Sequence, residues 1–250
     1  MVLDRRTLIP PSRALPSDIA SIGRRIPIAR AELMVDLSLL ANSRSLASPR
    51  ISWAAVFARA YGLVTDEVPC LRQTYMAWPF PHIYQHAQST AMIAIQRDES
   101  PSPRLCFGRI VNPGGQSLTA VQSVLDRYQR EPVAKTFRKQ VLFSRMPGPL
   151  RRLIWWLVMN VSGRRRSRQL GTFSISSLAG QGVFNRDHPT VCTSSLSYGP
   201  LGPRGECLLT LAYDHRLMDG MQAARALHRL RDHLQHTMVD ELKALHRRAA

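Results

Sequence analysis

Apolar side chains recur at helical spacing from Trp53 to Val64, behind a Ser52 able to cap the first turn and ahead of Pro69. This is the clearest helix in the chain. Ser17, followed by Asp18-Ile-Ala-Ser-Ile, predicts a capped first turn ending near Arg25, and Glu32 to Leu40 reads as a strand running into a turn. Short strands are predicted at Arg72–Trp78, Thr90–Gln96 and Leu105–Val111, broken by Pro79, Pro81 and the turn at residues 98–101. Pro113-Gly114-Gly115 is a turn, and Ser117 caps a helix to about Arg130. Residues 131–170 read as helical and basic. Strands return at Gly171–Ser176, Val191–Tyr198 and Cys207–Tyr213, and a last amphipathic helix runs from Asp219-Gly220 to about His236. Strands and helices mixed without strict β-α-β alternation predict an α+β fold, a sandwich with a mixed sheet and flanking helices.

Composition narrows this picture. A chain of 250 residues, 44% of them hydrophobic, suits one domain with a sizeable core. Residues 1–16 are basic and proline-containing and read as an extended or poorly ordered arm, leaving 17–250 as the single domain. The arm has only the apolar pairs Val2–Leu3 and Leu8–Ile9, so no secretory signal is expected. Cys70, Cys106, Cys192 and Cys207 are far apart with no C-x-x-C pair, which predicts neither a disulfide framework nor a zinc site. The expected compartment is therefore the cytoplasm. His82 and His86 stand four apart but have no third ligand at a recognisable spacing, so no metal is expected. The net charge of +17 implies contact with something anionic: nucleic acid, an acidic membrane face, an acidic carrier protein or a polyphosphate cofactor. A passive basic surface is the alternative. Nucleic acid has no recognised motif in its favour.

Candidate chemistry concentrates in Leu209-Thr-Leu-Ala-Tyr-Asp-His215-Arg-Leu-Met-Asp219-Gly220. A strand delivers a histidine at its end, and four residues later an Asp-Gly opens a helix. An imidazole held there, with an ordinary pKa near 6.5, suits proton abstraction from a thiol or hydroxyl. A structural histidine is the alternative reading of these residues alone.

The segment resembles the Asp-His-Arg-x-x-Asp-Gly signature of the lipoate acyltransferase component of 2-oxoacid dehydrogenase complexes, in the chloramphenicol-acetyltransferase-like, CoA-dependent superfamily. Upstream, Thr172-Phe-Ser-Ile-Ser176-Ser177-Leu178-Ala179-Gly180 is similar to that family's Thr-Phe-Thr-Ile-Ser-Asn/Ser-Leu-Gly strand, and Phe184–Tyr198 to its loop and following strand. Ser52–Pro69 and Thr90–Arg97 match more loosely. The resemblance implies a two-layer sandwich assembling as a homotrimer with active sites between subunits. His215 would be the catalytic base, and Ser176 of the neighbouring subunit would donate a hydrogen bond to the oxyanion formed from an acyl-CoA. Asp219 would be structural, held through an arginine, with Arg24 or Arg25 best placed. Gly220 would permit the tight turn into the last helix. A coenzyme A thioester would be a substrate, although no residues that bind it are identified.

Departures from the family shape further expectations. No lipoyl domain of its own is expected, so the acceptor would be a separate lipoylated partner, an acyl carrier or another thiol or hydroxyl. Ala179 replaces a glycine, which puts the local turn in doubt. Residues from His236 onward are polar and lack the apolar tail that joins trimers into larger cores, so a lone trimer is expected. Residues 140–170 form an insert whose apolar run of about ten residues is flanked by arginines, well short of the roughly twenty needed to span a bilayer. Three roles stay open for it: a helix at an anionic membrane surface, which would place the protein peripherally at the inner face; a lid over an acyl tunnel; or a core or trimer contact. The alternative to an enzyme is a non-catalytic trimeric interaction module.

Overall fold

The computed structural model describes residues 9–98 and 103–249. Its centre is a six-stranded mixed sheet built from β1 (Ile28–Asp36), β4 (Thr90–Arg97), β5 (Arg104–Val111), β6 (Phe173–Ile175), β7 (Ser194–Tyr198) and β8 (Glu206–Asp214). The order across the sheet is β1-β8-β7-β6-β4-β5. The two pairs made by β6 are parallel and the rest are antiparallel. β2 (Gln73–Met76) and β3 (His82–Gln85) form a separate antiparallel hairpin.

Period-two alternation gives each strand one face for the main core. Ala91, Ile93 and Ile95 of β4, Phe173 and Ile175 of β6, Leu196 of β7, and Leu209, Leu211 and Tyr213 of β8 all point there. They meet α3 (Trp53–Glu67), α4 (Leu118–Arg130) and α9 (Gly220–Asp232). Within this core Phe57 stacks on Tyr198, ring centroids 4.0 Å apart. Ser52 caps α3 as its sequence predicts, its Oγ accepting from the Ala55 N–H at 3.2 Å. Ser117 likewise caps α4. α3 presses so closely on the Pro113–Gly115 turn that a Cβ on Gly62 would lie 2.4 Å from the Gly114 nitrogen.

The sheet's second face is covered differently. Near β4 and β5 it is roofed by α1 (Pro11–Gly23), α6 (Arg138–Ser144), α7 (Gly148–Asn160) and α8 (Gly163–Leu170), with Leu15, Met92, Trp155, Val158 and Leu170 forming a smaller apolar cluster. α5 (Val133–Thr136) leads into α6. Further along, that face is polar: Ser174, Ser195, Thr210 and Asp214 point away from the core, and the last three are buried.

Several elements differ from the sequence-based expectation. The first helix begins at Pro11, with Ser17 and Pro16 inside it. Proline is favoured in the first turn of a helix, and burial of Ala14 and Leu15 against the sheet outweighs the N–H that Pro16 lacks. The expected arm therefore holds a helix over its second half, while residues 1–8 lie outside the described residues. The stretch after β1 is not a turn but α2 (Ser38–Leu46). Pro79 and Pro81 connect a hairpin where they were expected only to end a strand. The polar tail after His236 is α10 (Met238–Ala249), joined to α9 by a π-turn at His233–Thr237, with Met238, Val239 and Leu242 buried. Ala179 opens a short 3-10 turn, and Gly182 supplies the left-handed residue (φ 70°) that ends it.

The insert is helical as read, and α7 is two-faced. Trp155 is buried and its Nε1 donates to Asp18 of α1 at 3.0 Å, whereas Trp156 is half-exposed beside Trp78. Among the described residues no helix is long and apolar enough to cross a membrane.

Candidate active site

β8 ends on a buried carboxylate. Asp214 accepts from the Arg216 backbone N–H at 3.1 Å and from its guanidinium at 2.9 and 2.6 Å. Arg216 in turn lies 4.0 Å over the Tyr75 ring. His215, between these two, donates its backbone N–H to Pro27 at 2.9 Å. The backbone on either side of the imidazole is thus fixed. The ring itself is exposed, 5.8 Å from the Tyr213 ring, and neither ring nitrogen has a hydrogen-bond partner among the described residues. Both nitrogens are available to a ligand or a second chain.

Asp219 is the residue just before α9. Its carboxylate caps α9 by accepting from the Gln222 N–H at 2.8 Å, and Gln222 accepts from the Asp219 N–H at 3.0 Å, a complete capping box. Arg24 and Arg25 are exposed at the end of α1, and neither pairs with Asp219 among the described residues. The arginine–aspartate brace behind His215 is Arg216 with Asp214. Gly220 is the first residue of α9 and has no left-handed backbone. Of the surrounding atoms, a Cβ there would come within 4 Å only of the Tyr213 hydroxyl, at 4.0 Å.

Ser176 follows β6, on the polar face of the sheet. Its backbone N–H donates to Leu196 at 3.2 Å, and its hydroxyl oxygen accepts from Asn185 Nδ2 at 3.1 Å. The hydroxyl hydrogen is not used in this bond, so Ser176 keeps a donor for another group. Asn185 begins a run of four residues that tie the loop to the sheet. Arg186 pairs with Glu32 at 3.3 Å, Asp187 with Arg30, and His188 Nε2 shares a 2.5 Å hydrogen bond with Ser195. Burial pulls the His188 pKa below the ordinary histidine value. Neither Asn185 nor His188 stands out in the sequence, since the loop has no hydrophobic periodicity of its own.

Within one chain His215 and Ser176 do not meet. Ile175 aligns with Leu196 and Leu196 with Leu211, so Ser176 is level with Thr210 of β8. His215 lies five residues further on, roughly 16 Å along the strands and two strand spacings across.

A cleft of about 230 Å³ opens on the Ser176 side. β4 contributes Ala94 to its wall, β6 and the residue after it Ser174 and Ser176, and α1 and α7 Ile19 and Trp155. Among the described residues, no group of three or more His, Cys, Asp or Glu side chains is arranged to hold a metal ion.

No protein-family model and no curated protein matches the sequence. Solved structures do match. A probable dihydrolipoamide acetyltransferase from Listeria monocytogenes superposes with a TM-score of 0.68 at 19% identity, over 93% of this chain and 94% of that one. The dihydrolipoamide acetyltransferase of Azotobacter vinelandii gives 0.67 at 18% identity, over 93% of each chain. That enzyme was investigated for the roles of a serine, a histidine and an asparagine in its mechanism, the asparagine four residues after the histidine, the spacing at which this chain has Asp219. A chloramphenicol acetyltransferase matches at 0.52 and 9% identity, over 91% of this chain and 99% of that one. The chain therefore has the chloramphenicol-acetyltransferase-like fold, in the form found in the catalytic cores of dihydrolipoamide acetyltransferases.

Proposed function

We propose that this protein is an acyltransferase that moves an acyl group from a coenzyme A thioester to a thiol or hydroxyl acceptor, at a site shared between copies of the chain in a homotrimer. One observation carries the reading. The polypeptide holds an exposed imidazole on a braced backbone at His215, and elsewhere holds the Ser176 hydroxyl, which accepts from Asn185 and keeps a hydrogen to donate. The spacing of the two along the sheet means that a second copy must bring one to the other.

In this reading His215 removes the proton from the acceptor, whose sulfur or oxygen attacks the thioester carbonyl. Ser176 of the neighbouring copy donates its hydroxyl hydrogen to the oxyanion. Collapse of the intermediate breaks the carbon–sulfur bond, and the coenzyme A thiolate takes the proton back from His215. The acceptor can be a lipoylated partner, an acyl carrier or a small thiol or alcohol.

The direct test is acyl-CoA consumption, followed by mass spectrometry over a panel of donors and acceptors. His215→Ala should abolish turnover. Ser176→Ala should lower kcat by about 10²–10³-fold with little change in KM. Undiminished turnover in His215→Ala would refute the assignment.

A further inference from the structure

Alternation along two strands sends chemically different side chains to the two faces of the sheet. On β4, Ala91, Ile93 and Ile95 enter the main core, while Met92 and Ala94 turn to the other side. On β6, Phe173 and Ile175 enter the core, while Ser174 and Ser176 turn the same way as Ala94. The cleft on that face is therefore continuous between the Ser176 hydroxyl and an apolar wall of Ile19, Leu105, Phe107 and Trp155.

Three features define what this cleft can hold. No acidic or basic side chain other than His188 lines it. Several of its polar groups are already used within the chain. Gln140 exchanges hydrogen bonds with both the N–H and the C=O of Phe107, at 3.1 and 2.7 Å, and Thr190 bonds to Ser174 and to the Cys192 N–H. His188 Nδ1 remains as a buried polar atom without a partner among the described residues. The roof is also fixed in place. Asp18 of α1 accepts from Trp155 Nε1 at 3.0 Å and from Arg151 of α7 at 2.9 and 3.3 Å, so the two helices over the cleft are locked to each other. A largely apolar, pre-formed cavity with few polar points is the usual design for an apolar ligand held in one orientation.

We propose that this cleft receives the aliphatic chain of the acyl donor, with the thioester carbonyl lying at Ser176. A cavity near 150 Å³ lined by aliphatic and aromatic side chains holds benzene, so a cleft of about 230 Å³ accommodates roughly six to nine carbons. The substrate class is then a medium-chain acyl thioester. This rests on the acyltransferase reading for the identity of the donor, whereas the cleft's preference for an aliphatic chain can be measured without turnover.

The experiment is calorimetric titration of the full-length protein with acetyl-, butyryl-, hexanoyl- and octanoyl-CoA, and separately with sodium acetate and sodium octanoate. Affinity should rise with chain length, octanoyl-CoA binding about tenfold or more tighter than acetyl-CoA, because each buried methylene adds to binding. Ala94→Phe, which fills the cleft, should remove that advantage, so that octanoyl-CoA binds no tighter than acetyl-CoA. Leu105→Glu, at a partly exposed position on the edge strand β5, should reduce it. Equal affinity across the four thioesters would overturn the proposal even if acetyl transfer were observed. Octanoate bound in preference to acetate, and lost in Ala94→Phe, with no thioester bound at all, would uphold the apolar cleft while removing coenzyme A from the functional reading.

Discussion

Asp214 and Arg216, the immediate neighbours of His215, hold its backbone, while Asp219 caps the following helix. This division of roles was not legible in the sequence. A motif tells which residue types recur, but which carboxylate reaches which arginine depends on the way the turn after β8 closes. The strands that end just before Ser176 and His215 were legible from their apolar runs. Asn185 was not, and its effect can be measured. Asn185→Ala should lower kcat about tenfold, less than Ser176→Ala, and leave KM unchanged. A change in KM alone would place Asn185 in substrate binding and not in orienting the Ser176 hydroxyl. His86 offers a test of the fold at the same scale. Its Nε2 is hydrogen-bonded to Thr74 at 2.9 Å, and burial, with the Arg166 charge adding to it, lowers its pKa to about 4. Below the ordinary value of about 6.5 the unfolded chain takes up a proton that the folded chain refuses. Stability due to His86 is thus fully present above that pH and falls by up to about 1.4 kcal/mol per pH unit on the way down to pH 4. In urea titrations the wild type should lose more stability than His86→Gln between pH 6.5 and 4. Parallel losses would contradict a neutral buried imidazole.

Elements with strong internal signals were read closely. α3 and α4 carry serine caps followed by apolar residues at helical spacing, and both begin where the caps place them. The elements misread are those whose stability comes from distant partners. α1 tolerates Pro16 because its other face is buried, α2 is short and polar, and α10 looks like a tail until Met238, Val239 and Leu242 find the core. Local propensity is a weak prior beside such tertiary burial. The α1–α7 lock is of this kind, since Asp18 and Trp155 are separated by most of the chain. Asp18→Ala leaves Arg151 and the Trp155 N–H without their acceptor and should destabilise the protein by about 2 kcal/mol, a fall in Tm of roughly 4–8 °C. Scanning calorimetry would detect this, and an unchanged Tm would mean the two helices are held by apolar contacts alone.

At the scale of the whole molecule, the α+β architecture was legible from the order of strands and helices, and the comparison with solved structures bears it out. Charge was the least informative feature. The excess of +17 is dispersed over the chain, and arginines are used for internal work as well as display. Arg166 is buried and donates to the carbonyls of Tyr75, Met159 and Val191. Arg59 reaches Glu241 and the Gly114 carbonyl. The proposed chemistry turns on a distance: the sheet holds His215 and Ser176 far apart in one chain, so transfer by this pair, as proposed, would need a second copy. Co-expression of His215→Ala and Ser176→Ala chains tests that requirement most directly. Random assembly of a ring with head-to-tail contacts leaves about one site in four with an intact histidine facing an intact serine. Shared sites should give about a quarter of wild-type acyl transfer from the mixture and almost none from either variant alone. A mixture no more active than its separate components would contradict shared sites.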